Sequence, residues 1–283
     1  MNRRDFLLKS TLAGSTILLN PKTASYISSQ GNKPKSVIII GAGFAGLAAG
    51  MKLKSEGIQV TILEARKRIG GRVFSNQPTK ANGQVIELGA EWVGSSHERV
   101  ISLCKEFGLT LENNQFETDL LLGGKHSKSG KWGFSQEMNK FWESKVSIWE
   151  NMSETQRKKL DATDWWRYLS QQGITGNDLL LRDLMDSTDF GESIRHTSAY
   201  AAFAEYAESS EKNEMDLKIK GGNATLAEKM GENIGKDNIH IDHSVQIVKQ
   251  KGSKGVSVTC SNGKTFDAER IICAIPTFSL LKI

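Results

Sequence analysis

The chain has 283 residues, of which 38% are hydrophobic and 24% are charged, a length and composition that suit one large domain or two smaller ones and exclude extended intrinsic disorder. No run of about 18 uncharged apolar residues occurs, which argues against a lasting transmembrane helix. Most of the formal net charge of +5 comes from the first 30 residues, so the rest of the chain lacks the basic footprint of a nucleic-acid-binding protein.

The first 30 residues have the composition of a targeting segment. Arg3 and Arg4 precede an apolar stretch over residues 12–19 that Gly, Ser and Thr dilute, and Pro21 interrupts the pattern. The segment resembles a bacterial twin-arginine (Tat) signal peptide. This resemblance implies engagement of the Tat translocase, export to the periplasm or the extracellular space, cleavage near Ala24, and no stable membrane anchor. The alternative is an amphipathic first helix of the folded domain.

A dinucleotide-binding pattern begins at residue 36. The β-branched run over residues 36–40 predicts a buried parallel strand, and residues 47–54 predict the helix that follows it. Between them lies a G-x-G-x-x-G turn. Gly41 permits the tight turn, Gly43 lets a pyrophosphate approach the backbone, and Gly46 lets the helix pack against the strand.

The remainder of this unit supplies groups for the phosphates and a ribose. The turn also contains Phe44 and Ala45, next to the helix N-terminus, where free N–H groups favour phosphate. Residues 59–63 predict a second strand, and Glu64 stands at its end, where a carboxylate can accept hydrogen bonds from ribose hydroxyls. NAD and FAD remain alternatives at this point, as does an ordinary βαβ unit with a glycine turn.

The segment after Glu64 narrows the choice of cofactor. Residues 68–75 form an R-x-G-G-R-x-x-S pattern. Over residues 37–111, and again from residue 221 to the end, the chain resembles the flavin-containing amine oxidase family, which includes the monoamine oxidases. The resemblance implies FAD as the cofactor, contacted in this half by Gly41, Gly43, Phe44, Ala45, Gly46, Glu64, Ala65, Arg66, Gly71 and Arg72. The alternative for Arg68 and Arg72 is solvated surface charge.

Two further segments match the family's cofactor site. Residues 85–94 predict a strand that ends in a glycine-bearing turn. In the family this stretch runs beneath the flavin ring, so the resemblance implies contacts from Gly89, Ala90, Glu91 and Trp92. Judged without the family, Trp92 is a core residue. Val245 matches the position whose backbone holds the adenine.

A mainly helical insertion separates the two parts of the FAD-binding domain. The pattern predicts a hairpin between residues 120–125 and 130–132, then helices over 136–151, 153–173, 177–187 and 193–209. Five of the six tryptophans lie between residues 132 and 166. They form either an aromatic cage that binds an amine through cation–π contacts or the packing residues of this helical lobe.

These observations predict a domain organisation and an α/β fold. The fold is a Rossmann-like FAD-binding domain with a mainly helical substrate-domain insertion. The segments are 1–30 (Tat signal peptide and start of a linker), 36–115 (first part of the FAD-binding domain), 116–218 (partial substrate domain) and 219–283 (incomplete return to the FAD-binding domain). The family continues well beyond the position of Ile283, so we expect a C-terminally truncated chain.

The resemblance also implies a reaction. Family members oxidise a small-molecule amine and pass the electrons to O2, which gives an imine and hydrogen peroxide. Their active-site lysine and substrate-flanking aromatic pair lie beyond the position of Ile283, so no catalytic residue is assigned. The three cysteines and scattered histidines predict no metal site. The alternatives are a related FAD-dependent desaturase or porphyrinogen oxidase, and a non-catalytic FAD-binding fragment.

Overall fold

A computed structural model describes residues 33–77, 84–208, 216–252 and 255–283. The predicted Tat signal peptide lies outside these described residues. By its internal contacts the chain divides into two compact units. Of the described residues, the first unit contains 33–77, 84–91, 103–110, 219–252 and 255–283, and the second unit contains 92–102, 111–208 and 216–218. The second unit therefore includes the predicted insertion and also takes in residues 92–102 and 111–115.

Helices and strands alternate at first and then segregate along the chain. The helices are α1 (Phe44–Ser55), α2 (Glu98–Glu106), α3 (Gln136–Asn151), α4 (Glu154–Leu160), α5 (Trp165–Gln171), α6 (Gly176–Phe190), α7 (Ala199–Glu208), α8 (Ala224–Ile234) and α9 (Thr277–Leu280). The strands are β1 (Ser36–Ile40), β2 (Gln59–Leu63), β3 (Ser75–Asn76), β4 (Ile86–Glu87), β5 (Leu111–Asn113), β6 (Leu120–Leu122), β7 (Lys125–Ser127), β8 (Leu217–Ile219), β9 (Ile239–His240), β10 (Val245–Gln250), β11 (Val256–Cys260), β12 (Thr265–Ala268) and β13 (Arg270–Cys273).

The first unit is built on a parallel sheet with the strand order β13-β1-β2-β9. β1 and β2 pair from Ser36 with Gln59 to Ile40 with Leu63. The β-branched side chains of β1 are almost fully buried, as a central parallel strand requires. Both strands therefore end side by side at one edge of the sheet, where α/β folds bind nucleotides. The predicted α/β fold class and these two strands are confirmed.

Two helices of the first unit, α1 and α8, pack against each other. Gly50 permits the close approach, because a Cβ atom there would lie 2.9 Å from Ile62 Cδ1 and 3.1 Å from Ile234 Cδ1. The first unit also contains an antiparallel sheet in the order β10-β11-β12. Val245 and Val258 of that sheet lie in one buried apolar cluster with residues of β1 and β2.

The second unit has an aromatic core. Phe141, Trp149, Trp165, Tyr168 and Phe203 are buried together with aliphatic residues of α3, α5, α6 and α7. Their rings contact one another edge-on, tilted or stacked, with centroid distances of 5.1–6.4 Å. Such pairs add to the stabilisation that burial of the rings provides. Trp149 and Trp165 are therefore packing residues, which removes them from the alternative of an open amine-binding cage.

Three predicted elements of the second unit differ from the structure. The helix predicted over 193–209 begins only at Ala199, as α7. The hairpin strand that follows β6 is Lys125–Ser127 rather than residues 130–132, because Gly123 and Gly124 both take positive φ and form a two-residue turn. The predicted helix over 153–173 is two helices, α4 and α5. The helix is interrupted where Asp164 caps α5 by accepting from the N–H of Arg167 at 2.7 Å.

Within the part of the chain that the structure describes, no helix is long and apolar enough to cross a bilayer. The same residues contain no group of three or more His, Cys, Asp or Glu side chains placed to hold a metal ion.

Candidate cofactor-binding site

The glycine turn closes directly on the end of β2. The N–H of Gly41 donates to the carbonyl oxygen of Leu63 at 2.8 Å, and Gly41 has a φ of +102°, a conformation that favours glycine. A Cβ atom on Gly46 would lie only 1.9 Å from the carbonyl oxygen of Gly41. The turn and the first turn of α1 therefore meet at a distance that only glycine allows.

The N-terminus of α1 is open to a ligand. Gly43 is the N-cap residue and supplies no capping side chain, and the first turn holds no acidic residue. Among the described residues, the N–H groups of Ala45, which is exposed, and of Gly46, which is buried, donate no hydrogen bond to the protein. These N–H groups and the positive end of the helix dipole favour an anion such as phosphate. Helix α1 begins at Phe44, three residues earlier than predicted.

Glu64 lies against this turn. Glu64 is only 8% exposed. Oε2 accepts from the N–H of Ala42 at 2.8 Å, and Oε1 accepts from the N–H of Arg66 at 2.9 Å. Each carboxylate oxygen keeps a further lone pair, which a ribose hydroxyl can use. The side chains of Ala65 and Arg66, beyond β2, are exposed.

The backbone of Glu64 connects the turn to the segment before β10. Its N–H donates to the carbonyl oxygen of His240 at 2.9 Å, and its carbonyl oxygen accepts from the N–H of His243 at 2.8 Å. Val245 follows two residues later as the first residue of β10, and the pairing of β10 with β11 shifts register between Val245 and Ile247. The fold thus brings the predicted ribose and adenine positions, which are 181 residues apart in the chain, to one end of the parallel sheet.

The side chain of Arg68 donates hydrogen bonds to the backbone around the paired glycines and is not a solvated surface charge. It is partly buried, and its guanidinium donates to the carbonyl oxygens of Gly71 at 2.9 Å and of Val73 at 3.3 Å. The same guanidinium lies 4.2 Å from the ring centre of Phe74. Gly70 donates to the carbonyl oxygen of Ala42 at 2.8 Å, which ties this loop to the glycine turn.

Arg72 presents its side chain to solvent while its backbone is held. The guanidinium is exposed and has no acceptor within hydrogen-bond distance among the described residues. The carbonyl oxygen of Arg72 accepts from the N–H of Ala90 at 3.0 Å. A Cβ atom on Gly89 would lie 2.0 Å from the same carbonyl oxygen, so the two segments touch through glycine. Gly71 and Gly43 also approach closely, since a Cβ on Gly71 would lie 3.1 Å from Gly43 Cα.

Trp92 falls in the second unit, and Gly89, Ala90 and Glu91 in the first. The ring of Trp92 stacks on Phe116 with a centroid distance of 5.3 Å. The strand predicted over residues 85–94 is interrupted: Ile86–Glu87 forms β4, and Val93 makes a separate antiparallel bridge with Leu217. The carbonyl oxygens of Ala90 and Glu91, in the segment that follows β4, accept hydrogen bonds from the side chain of Asn223.

Sequence reasoning missed the side chains that hold this continuation. Asn223, Glu87 and Ser75 form a connected set of hydrogen bonds within the first unit. The local signal was weak: an asparagine after two glycines at a helix start, and an acidic residue in a predicted strand. Neither pattern indicates which distant segment such a side chain contacts.

The residues present fit a dinucleotide such as FAD. The N–H groups of Ala45 and Gly46 can receive the pyrophosphate, and a side chain at Gly43 would fill otherwise open space beside it. The buried Glu64 carboxylate suits ribose hydroxyls, and the exposed guanidinium of Arg72 suits a phosphate or the polar edge of a flavin.

Comparison with known proteins is consistent with this site. The family model described as flavin containing amine oxidoreductase matches residues 44–281. Flavin-containing amine oxidase B of Bos taurus is 24% identical over 278 residues, which cover 87% of this chain and 51% of that protein. The chain thus spans about half the length of the curated relatives it matches.

Solved structures give the same picture for the fold. A structure of putrescine oxidase superposes with a TM-score of 0.71 at 24% identity, and the match covers 85% of this chain and 58% of that one. Cyclohexylamine oxidase from Brevibacterium oxydans superposes with a TM-score of 0.72 at 21% identity, over 86% of this chain and 58% of that one. At these identities the likeness shows a shared fold.

Proposed function

The chain belongs to the flavin-containing amine oxidoreductase family, and we propose on that premise that the protein binds FAD and oxidises a small-molecule amine with O2 as the electron acceptor. Family membership supports the reaction class. The observation that carries the binding of a dinucleotide is the buried Glu64 carboxylate, which lies between the glycine turn and Arg66, and family membership supports FAD over NAD. The chemistry that FAD would supply when bound is acceptance of two electrons as a hydride from the carbon beside the amine nitrogen, and their transfer with two protons to O2 as hydrogen peroxide.

In this proposal the chain's own residues bind and orient the cofactor. The N–H groups of Ala45 and Gly46 donate to pyrophosphate oxygens, and Gly43 allows those oxygens to reach the backbone. Glu64 accepts from the ribose hydroxyls. The backbone of Val245 contacts the adenine, which requires N–H and C=O groups rather than a particular side chain.

We assign the flavin end of the cofactor to Arg72 and to residues 89–91. Arg72 offsets negative charge through its exposed guanidinium, and the backbone of Gly89, Ala90 and Glu91 lies along the ring. Holding the ring and the amine in a fixed mutual orientation lowers the entropic part of the barrier, and exclusion of water strengthens each polar contact.

The reaction class is tested without oxygen on the flavin-loaded protein expressed with its downstream reading frame, where the family resemblance places the active-site lysine. A panel of primary and secondary amines is added, and the visible flavin absorbance is followed. We expect at least one amine to bleach the absorbance, and readmission of O2 to restore it with release of one hydrogen peroxide per amine oxidised. Bleaching by a porphyrinogen or a desaturase substrate, with no response to any amine, would favour the related FAD enzymes instead.

We further propose that the protein is exported by the Tat pathway, on the sequence pattern at Arg3 and Arg4. Replacing both with Lys keeps the charge and removes the planar guanidinium groups that the translocase recognises. The double variant should stay in the cytoplasm, whereas Lys22→Arg should be exported normally. Periplasmic arrival of the double variant in undiminished yield would remove the export proposal.

A further inference from the structure

Asn223 occupies the N-cap position of α8 but does not cap that helix. Its backbone is in the helical region, and its side chain accepts no hydrogen bond from the first turn of α8. The residue is nevertheless only 5% exposed. A buried amide that is not used by its own helix costs free energy unless its polar atoms are paired elsewhere.

The side chain of Asn223 is paired with the segment that follows β4. Its Nδ2 group donates to the carbonyl oxygen of Glu91 at 2.7 Å and to that of Ala90 at 3.1 Å. Its Oδ1 atom accepts from the N–H of Ile219 at 2.9 Å. One side chain therefore joins backbone groups of three residues in two segments, one of which lies more than 130 residues away in the chain.

Glu87 and Ser75 extend this hydrogen-bond network to the backbone N–H groups of Asn223 and Ala224. Glu87 Oε1 accepts from the backbone N–H of Asn223 at 2.8 Å, and Glu87 Oε2 accepts from the hydroxyl of Ser75 at 2.7 Å. The same hydroxyl accepts from the N–H of Ala224 at 2.9 Å. Bonds to a charged carboxylate are stronger than neutral ones, so the network fixes Asn223 firmly at the start of α8.

The segment that Asn223 holds is the one that supports Arg72. Ala90 donates to the carbonyl oxygen of Arg72 at 3.0 Å, and Leu88 donates to that of Phe74 at 2.8 Å. Gly89 touches the backbone of Arg72 without room for a side chain. A shift of residues 89–91 would therefore move the backbone from which the Arg72 side chain extends.

We propose that Asn223 is a positioning residue of the cofactor site. It fixes residues 89–91 through Nδ2 and, through Ala90, the backbone of Arg72. This inference rests on the proposed function, since it assumes that FAD lies along residues 89–91 and beside Arg72. Asn223 acts through these groups and makes no contact with the cofactor itself.

The sharpest perturbation is Asn223→Asp. It preserves the volume of the side chain and the acceptor for Ile219, and it replaces the donor that serves Ala90 and Glu91 with an oxygen. Asn238→Asp is the matched control, because the Nδ2 group of Asn238 donates to the carbonyl oxygen of Ile234 at 2.8 Å, at the other end of α8. Both variants lose the same kind of bond, but only the first loses it at residues 89–91.

Three measurements on the whole chain are compared: the dissociation constant of FAD, the visible circular dichroism of the bound flavin, and amide hydrogen exchange at Ala90 and Leu88 without cofactor. For Asn223→Asp we expect the FAD dissociation constant to rise at least roughly tenfold, because the two bonds that Nδ2 donates to Ala90 and Glu91 are lost. We also expect an altered flavin dichroism band and faster exchange at both amides. Asn238→Asp should resemble the unmodified protein in all three.

Equal results for Asn223→Asp and the unmodified protein, or equal changes in the two Asp variants, would overturn the inference. Should Asn223→Asp fail to fold, Glu87→Gln is tested in its place, because it weakens the hydrogen-bond network and leaves the side-chain amide of Asn223 unchanged. An unchanged exchange rate at Ala90 in that variant would contradict the inference. Failure of the unmodified protein to bind FAD would refute the proposed function instead, and the exchange contrast in the cofactor-free chain keeps the two failures apart.

Discussion

Replacing Glu64 by Gln should reduce both the stability of the protein and its affinity for FAD. The carboxylate accepts from the N–H groups of Ala42 and Arg66, and Ala42 is fully buried. An amide can accept from only one of these donors and presents its NH2 group to the other. Leaving a buried donor without an acceptor costs about 1–3 kcal/mol. In a domain of about 150–250 residues, each kcal/mol lowers Tm by about 2–4 °C.

The loss of affinity follows from the missing charge. Hydrogen bonds to a charged group contribute about 1.5–3 kcal/mol, so weakened ribose contacts should raise the FAD dissociation constant roughly 10- to 150-fold. The assays are thermal unfolding of the cofactor-free protein and fluorescence titration with FAD.

Glu56→Gln is the matched control for this experiment. Glu56 lies near the surface, where ion pairs with Lys52 at 2.9 Å and Lys33 at 3.2 Å lower the pKa of its carboxyl. Exposed ion pairs of this kind contribute little to stability, so we expect Glu56→Gln to match the unmodified protein in both assays. Equal losses of Tm or of FAD affinity in the two variants would refute the role assigned to the buried carboxylate.

Two further predictions concern packing and pH. Gly46→Ala places a Cβ atom 1.9 Å from the carbonyl oxygen of Gly41 and should lower the free energy of unfolding, measured by urea titration, by about 1–3 kcal/mol or more. The control Gly133→Ala has no atom within 4 Å of the added Cβ and should leave this free energy unchanged. Burial and the nearby His243 lower the pKa of His240 below its ordinary value of 6.5. The unfolded chain then binds a proton more readily, so the free energy of unfolding should fall as the pH drops below about 6.5, and His240→Gln should flatten this dependence. A variant with the same pH slope as the unmodified protein would contradict that assignment.

The glycine turn could be predicted from the sequence because its constraints are local. The β-branched run of β1, the glycines at 41, 43 and 46, and the second strand before Glu64 each indicate an element within a few residues. The structure adds that the Glu64 carboxylate accepts from two backbone N–H groups, one of them in the turn 22 residues earlier. Spacing placed the side chain at the strand end but did not reveal these partners.

The errors and omissions have physical causes of longer range. The helix over 153–173 is divided at Asp164 because residues 163–165 hydrogen-bond to residues 197–199, a contact that no local pattern encodes. The second strand of the hairpin was predicted too far along the chain because Gly123 and Gly124 were not taken as the turn. The position of the turn sets the register of the two strands. The network around Asn223 joins segments more than 130 residues apart, so its geometry emerges only after folding.

The most direct test of the account is the identity and amount of the nucleotide that the purified chain binds. The protein is incubated with equal concentrations of FAD and NAD, freed of unbound ligand and denatured, and the released nucleotide is quantified by mass spectrometry. We expect FAD in an amount equimolar with the chain, and strongly reduced FAD in Glu64→Gln but not in Glu56→Gln. Retention of NAD, or FAD bound equally well by both variants, would contradict it.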